Sequence, residues 1–210
     1  MSDKFQNKYR IPSHRKPGWK YSSNGMYFIT LVTQHRICNL GKIVNENQPI
    51  MKLSDFGKIV DAEWHKSFEI RDELFLESYI IMPNHLHAIV VINNENDTDG
   101  VIGDAIESVE THGRASLRSS SSSSPSPEMP QRLPKSISSF LAGFKSAVNS
   151  KIDDYVDANN LNIPKYNRDN HFFQPNYHDH IIRNDESFQR ISNYIITNPS
   201  KWADDQLFNP

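Results

Sequence analysis

The chain has 210 residues, 23 Lys and Arg against 25 Asp and Glu, a formal net charge of -2 and one cysteine, Cys38. That length suits one compact domain with a long insert, the near-neutral charge gives no global pull toward polyanions, and a lone thiol excludes an intramolecular disulfide and a thiolate zinc cluster. No apolar run approaches the roughly 20 residues that span a bilayer, and the polar, basic start has no signal-peptide core, so a soluble cytoplasmic chain without a membrane partner is expected.

Residues 1–24 form a basic arm, with Lys4, Lys8, Arg10, Arg15, Lys16 and Lys20 against the single acid Asp3, and with Tyr9, Trp19 and Tyr21 interleaved. Such an arm reads either as a solvated terminus or as a local nucleic-acid contact. Asn24-Gly25 then opens a β-rich run over residues 26–33 with bulky residues on both faces, the pattern of a central strand. Over residues 53–68, Phe56, Ile59, Val60, Trp64 and Phe68 recur at helical spacing behind Ser54, a suitable N-cap; this predicts an amphipathic helix laid on a sheet.

Residues 74–82 and 86–92 are two apolar runs joined through Pro83-Asn84, which predicts a β-hairpin. His85 and His87 stand at i and i+2 where the second run begins. Successive side chains on a strand point to opposite faces, so the two imidazoles share one face while Leu86, Ala88, Val90 and Ile92 take the other. A pair of imidazoles on a rigid, apolar strand supplies two-thirds of a metal site; the spacing alone also suits a surface or structural role.

Residues 93–134 change character: acids, then Arg114 to Arg118, a serine run at 119–124, and Pro125, Pro127, Pro130 and Pro134. This composition cannot offset its ordering entropy and predicts a flexible insert in a domain over 25–202, followed by a tail at 203–210. A second helix is predicted from Ser136 to about Val156, with Ile137, Phe140, Leu141, Phe144, Val148 and Ile152 along one stripe and Lys145 at its edge. Residues 172–183 look extended. Asn184-Asp185-Glu186 supplies a capping oxygen and first-turn acids for a last helix.

The order strand, helix, strand, strand, helix, strand, helix predicts an α+β fold: a ferredoxin-like or RRM-like split β-α-β antiparallel sheet with helices on one face, plus a C-terminal helix. The histidine face would be left open for a ligand. In the last helix Phe188, Ile191 and Ile195 form the buried stripe, and Arg190, Tyr194 and Asn198 an i, i+4, i+8 ridge beside it. Pro199 disfavours αR at Asn198, which places Asn198 at the C-terminal cap. A phenol and an amide one turn apart can face the histidine strand, or serve as a boundary tyrosine and a cap.

Two motifs in order carry a family resemblance. Met82-Pro83-Asn84-His85-Leu86-His87 resembles the HUH signature of single-tyrosine transposases, Leu86 being the bulky apolar residue. Residues 173–184, Phe-Gln-Pro-Asn-Tyr-His-Asp-His-Ile-Ile-Arg-Asn, followed by Tyr194-Ile195-Ile196-Thr197-Asn198-Pro199, resemble the tail of the REP-associated tyrosine transposases. The likeness runs from about Gly25 to Trp202, excluding the insert; the family often has Trp at the position of Phe173.

The resemblance implies that Tyr194 is the nucleophile, that His85 and His87 bind metal and that Asn198 is a polar third ligand, with Mg2+ or Mn2+ as the ion. It implies metal-dependent cleavage and transfer of single-stranded or hairpin DNA through a 5′-phosphotyrosine, with no protein partner implied. Lys145, Arg183, Arg190 and Lys201 could then meet phosphates, and Trp202, Tyr177 and Tyr27 could stack on bases. His178 and His180 are candidates for the base, and Glu77 or Asp179 for support around the ion. The competing expectations are a non-catalytic module that binds single-stranded nucleic acid and a phosphodiesterase in which water attacks.

Overall fold

The computed structural model describes residues 21–94, 133–167 and 169–208, together with the backbone of β1 (Lys4–Phe5) and β2 (Lys8–Tyr9), which pair antiparallel. The other basic-arm positions before Tyr21 and most of the serine-rich insert lie outside the described residues. The remaining elements are β3 (Gly25–Val32), β4 (Gly41–Asn45), β5 (Pro49–Leu53), α1 (Asp55–Glu69), β6 (Leu74–Met82), β7 (His85–Ile92), α2 (Ile137–Ala158), β8 (His178–Ile182) and α3 (Asp185–Thr197).

The main sheet has the order β6-β7-β3-β8, with every neighbouring pair antiparallel. β3 and β6, joined through α1, are separated in space by β7. β7 and β8, joined through α2, are separated by β3. This is the split β-α-β arrangement expected from the order of elements.

Alternation along the two central strands decides what lies on each face. Tyr27, Ile29 and Leu31 of β3 and Leu86, Ala88, Val90 and Ile92 of β7 are buried under α1 and α2. Trp64 of α1 anchors that layer, its ring centroid 5.3 Å from Phe140 and 5.0 Å from Phe144 of α2. Removing so large a buried side chain leaves a cavity, so Trp64→Ala is expected to cost about 3–5 kcal/mol, read as a drop in urea midpoint at unchanged slope. Ser54 caps α1 as the sequence predicts, its Oγ accepting from Gly57 N, and Ser136 forms a reciprocal capping box with Ser139 at the start of α2.

The opposite face differs from expectation. Ile191 and Ile195 of α3 are buried there against Ile89 and Ile182, with Met26, Phe28, Ile80 and Phe188 packed around them. The histidine face is therefore partly roofed by α3 instead of standing open. The physical reason is apolar: Met26, Phe28, Ile80 and Ile89 would otherwise leave a patch in water.

Three further features depart from the sequence reading. A second hairpin, β4–β5, precedes α1. Within residues 172–183 only His178–Ile182 joins the sheet, while Phe173 makes an isolated bridge to Thr33. Residues beyond the predicted domain end at 202 fold back: Asn84 Nδ2 donates to Leu207 O (2.7 Å), and the Trp202 and Phe208 rings lie 5.2 Å apart. No helix among the described residues is long and apolar enough to cross a membrane.

Candidate active site

The two-residue Pro83-Asn84 turn sets the register Met82 opposite His85, and β3 sets Val32 opposite His85 and Thr30 opposite His87. Both imidazoles thus point to the α3 side, their centroids 4.4 Å apart. Both are buried. Phe28 stacks on His87 at 5.2 Å and 30°. Each Nδ1 has an oxygen beside it: Thr30 Oγ1 is 2.8 Å from His87 Nδ1, and Asn84 Oδ1 is 2.8 Å from His85 Nδ1. Both Nε2 atoms are left to face the site, and that of His85 is buried with no hydrogen-bond partner.

α3 brings Tyr194 over this pair. Its hydroxyl is 3.1 Å from His87 Nε2 and 3.2 Å from Asp205 Oδ2. Asn198, buried at the C-cap, donates from Nδ2 to the same Asp205 oxygen at 3.2 Å, and its Oδ1 is buried without a partner. Its backbone is αR (φ -58, ψ -42), against the extended conformation expected before Pro199. The chain tightens at once into a 3-10 helix, Asn198–Asp204, with Pro199 in its first turn, where a missing N–H costs little. That turn carries Asp205 back under the tyrosine.

Asp205 is the residue that sequence reasoning missed. Potential ligand atoms of His85, His87 and Asp205 all lie within 4.8 Å of one another. Its carboxylate joins the two imidazoles in the group of three, and Asn198, the expected third ligand, sits beside it through its amide. The orphaned Nε2 of His85 and Oδ1 of Asn198, with the carboxylate and the second imidazole, form an N and O donor set that suits a divalent cation. Only the fold-back after Pro199 could have revealed Asp205, and no periodicity in the sequence announces it.

The other expected residues are spread out. Lys201 lines the ≈ 570 Å³ cavity that also holds Phe28, His87, His178, Tyr194 and Asp205. Trp202 lies 5.9 Å from the His85 ring and packs there. Arg183 and Arg190 are exposed on and beside α3. Lys145 is elsewhere: its ammonium donates to the carbonyls of Gln174 (2.6 Å) and Pro175 (3.2 Å), holding that loop. Tyr27 is a fully buried core residue donating to Ser23 O, and the partly buried Tyr177 has its hydroxyl 3.1 Å from Ser138 Oγ. His180 lines a different cavity, beside Arg183. Glu77 is the exposed extra residue at a bulge, and Asp179 is registered opposite Ile29, on the core-facing side of the sheet.

Burial governs the titration of the site. Loss of hydration pushes the His85 imidazole down to about 4, partly opposed by the negative charge of Asp205, and holds His87 well below its ordinary value, with the His85 charge adding to the effect. Burial, then the neighbouring Asp205 carboxylate, raises the Tyr194 phenol. For a histidine depressed in the folded state, the unfolded chain binds more protons between the ordinary value near 6.5 and the folded one. Stability is therefore full above about 6.5 and is lost as the pH falls toward 4, by up to about 1.4 kcal/mol per pH unit for each imidazole. Urea midpoints of the metal-free protein should drop between pH 7 and pH 4.5, and a His85→Gln variant should show a shallower drop; equal slopes would contradict the burial argument.

No protein-family model matches the chain. An uncharacterised protein of Haemophilus influenzae is 30% identical over 198 residues, which span 93% of this chain and 92% of that protein. Among solved structures, a REP-associated tyrosine transposase bound to a REP hairpin aligns with a TM-score of 0.48 at 16% identity, over 91% of this chain and 74% of that one.

Proposed function

We propose, for a chain that belongs to one family with that Haemophilus influenzae protein, metal-assisted cleavage and rejoining of single-stranded or hairpin DNA with Tyr194 as the nucleophile. The observation that carries the reading is the placement of the Tyr194 hydroxyl, 3.1 Å from His87 Nε2 and 3.2 Å from Asp205 Oδ2, at the edge of a group of potential ligand atoms. A core tyrosine has no need of such company.

His85, His87 and Asp205 would hold the ion, with Asn198 Oδ1 next to them. Mg2+ or Mn2+ bound there supplies Lewis-acid polarisation of a phosphate oxygen and neutralises charge that develops during displacement. The chain's own groups do the rest. Tyr194 is more reluctant to ionise than a free phenol, so its proton needs an acceptor, and the Asp205 carboxylate already faces it. As the tyrosine oxygen bonds to phosphorus, the bond from phosphorus to the 3′ oxygen breaks. That oxygen leaves as a 3′-hydroxyl after taking a proton from water. Ester replaces ester, so attack by another 3′-hydroxyl reverses the step without a nucleotide cofactor.

Lys201, which lines the cavity, and the exposed Arg183 and Arg190 would meet phosphates along a strand. The hairpin preference rests on the motif resemblance. The test is a denaturing gel of the full chain with end-labelled hairpin oligonucleotides, with Mn2+ or with EDTA. A metal-dependent covalent protein–DNA band supports the proposal. Shortened DNA with no such band would make water the nucleophile, and binding with neither would leave a recognition module.

A further inference from the structure

Asn84 is fully buried between the histidine strand and the returning C-terminal segment. Its Nδ2 donates to Leu207 O at 2.7 Å and to Arg36 O at 3.2 Å. Two carbonyl partners decide which end of the amide is nitrogen, so the oxygen is the end 2.8 Å from His85 Nδ1. An amide oxygen only accepts, and His85 must therefore carry its proton on Nδ1. The single remaining lone pair of that ring is then on Nε2, the buried atom without a hydrogen-bond partner on the side of His87 and Asp205.

The same side chain ties down the segment that carries Asp205. Leu207 N donates to Asp205 Oδ1 at 2.6 Å, while Leu207 O is held by Asn84. The turn that supplies the third contact is strained for the purpose: His35 and Arg36 both have left-handed backbones, φ 56 and 57, rare for residues other than glycine. That conformation aims the Arg36 carbonyl at Asn84, and the Arg36 guanidinium donates to Gln206 O at 3.2 Å. Such strain persists only where its surroundings over-determine it.

We propose that Asn84 is a positioning residue for the metal site: it locks the His85 tautomer that offers Nε2 and clamps residues 205–208 so that Asp205 meets the two imidazoles. The inference rests on the reading of the histidine and aspartate group as a divalent-cation site. Supporting residues that orient a ligating imidazole commonly change metal affinity 10- to 100-fold on removal.

Calorimetric titration of the full chain with MnCl2 tests it, alongside long-range nitrogen–proton spectra of the histidine rings. Wild type is expected to bind Mn2+ and to show His85 protonated on Nδ1. Asn84→Ala is expected to bind about 10- to 100-fold more weakly, with mixed His85 tautomers. Asn84→Asp keeps an acceptor for Nδ1 but loses both donors; it is expected to retain the tautomer and still lose affinity. A folded Asn84→Ala variant with unchanged affinity overturns the proposal. A wild-type His85 protonated on Nε2 overturns it with no variant needed, should the substitutions fail to fold. Wild type that shows the Nδ1 tautomer but binds no Mn2+ sinks the underlying metal-site reading instead.

Discussion

Tyr194→Phe is expected to abolish the covalent protein–DNA band and to leave hairpin binding within about threefold, the change expected from loss of one neutral hydrogen bond. The substitution removes one oxygen and little else. Tyr194 is 39% exposed, and its ring stands edge-on to Phe28 at 6.2 Å, a packing that phenylalanine reproduces. Two hydrogen bonds disappear, to His87 and Asp205, at a net cost of roughly 0.5–1.5 kcal/mol each, which a domain of ordinary stability survives. The imidazoles and the carboxylate remain, so Mn2+ affinity is expected to be unchanged in the variant. A labelled-oligonucleotide gel showing an undiminished adduct in this variant would refute the nucleophile assignment.

Asp205→Asn is expected to weaken Mn2+ binding at least about tenfold and to suppress the adduct in parallel. The two buried imidazoles carry no charge at neutral pH, so among the three grouped side chains the carboxylate brings the only negative charge to a cation. Its removal has a second, independent signature. Asp205 raises the Tyr194 phenol and props up the His85 imidazole, so both groups should titrate at lower pH in the variant. Carbon-labelled tyrosine and histidine rings report this in the metal-free protein. Unchanged metal affinity would remove Asp205 from the ligand set, while unchanged titration would show the carboxylate to be turned away in solution.

Much of this arrangement was legible in the chain because it is periodic. The apolar stripes of α1, α2 and α3 and the alternation in β6 and β7 follow from burial on one face. They place His85, His87 and Tyr194 on the same side of the sheet once the split β-α-β order is recognised. What escaped was built by non-periodic events. β4 and β5 are short and half-buried, and Ile43-Val44 beside Gln48-Pro49 gives no clean alternation. Lys145 lies at the edge of its stripe as predicted, but its reach to the 174–176 carbonyls depends on where a loop passes. Asp205 depends on Asn198 adopting αR against the local preference of a residue before proline, a preference overridden by burial of that side chain beside the imidazoles.

The paired histidines and the tyrosine hydroxyl are separated by 107 positions between His87 and Tyr194, and the carboxylate follows later still. On a ribosome, the hairpin with both imidazoles is made first, without an attacking group. A stalled or truncated product that stops before α3 would carry the strand and no power to nick DNA. Under the proposed function, synthesis order would act as a safety catch, withholding strand cleavage until the rest of the sheet has been translated around the imidazoles.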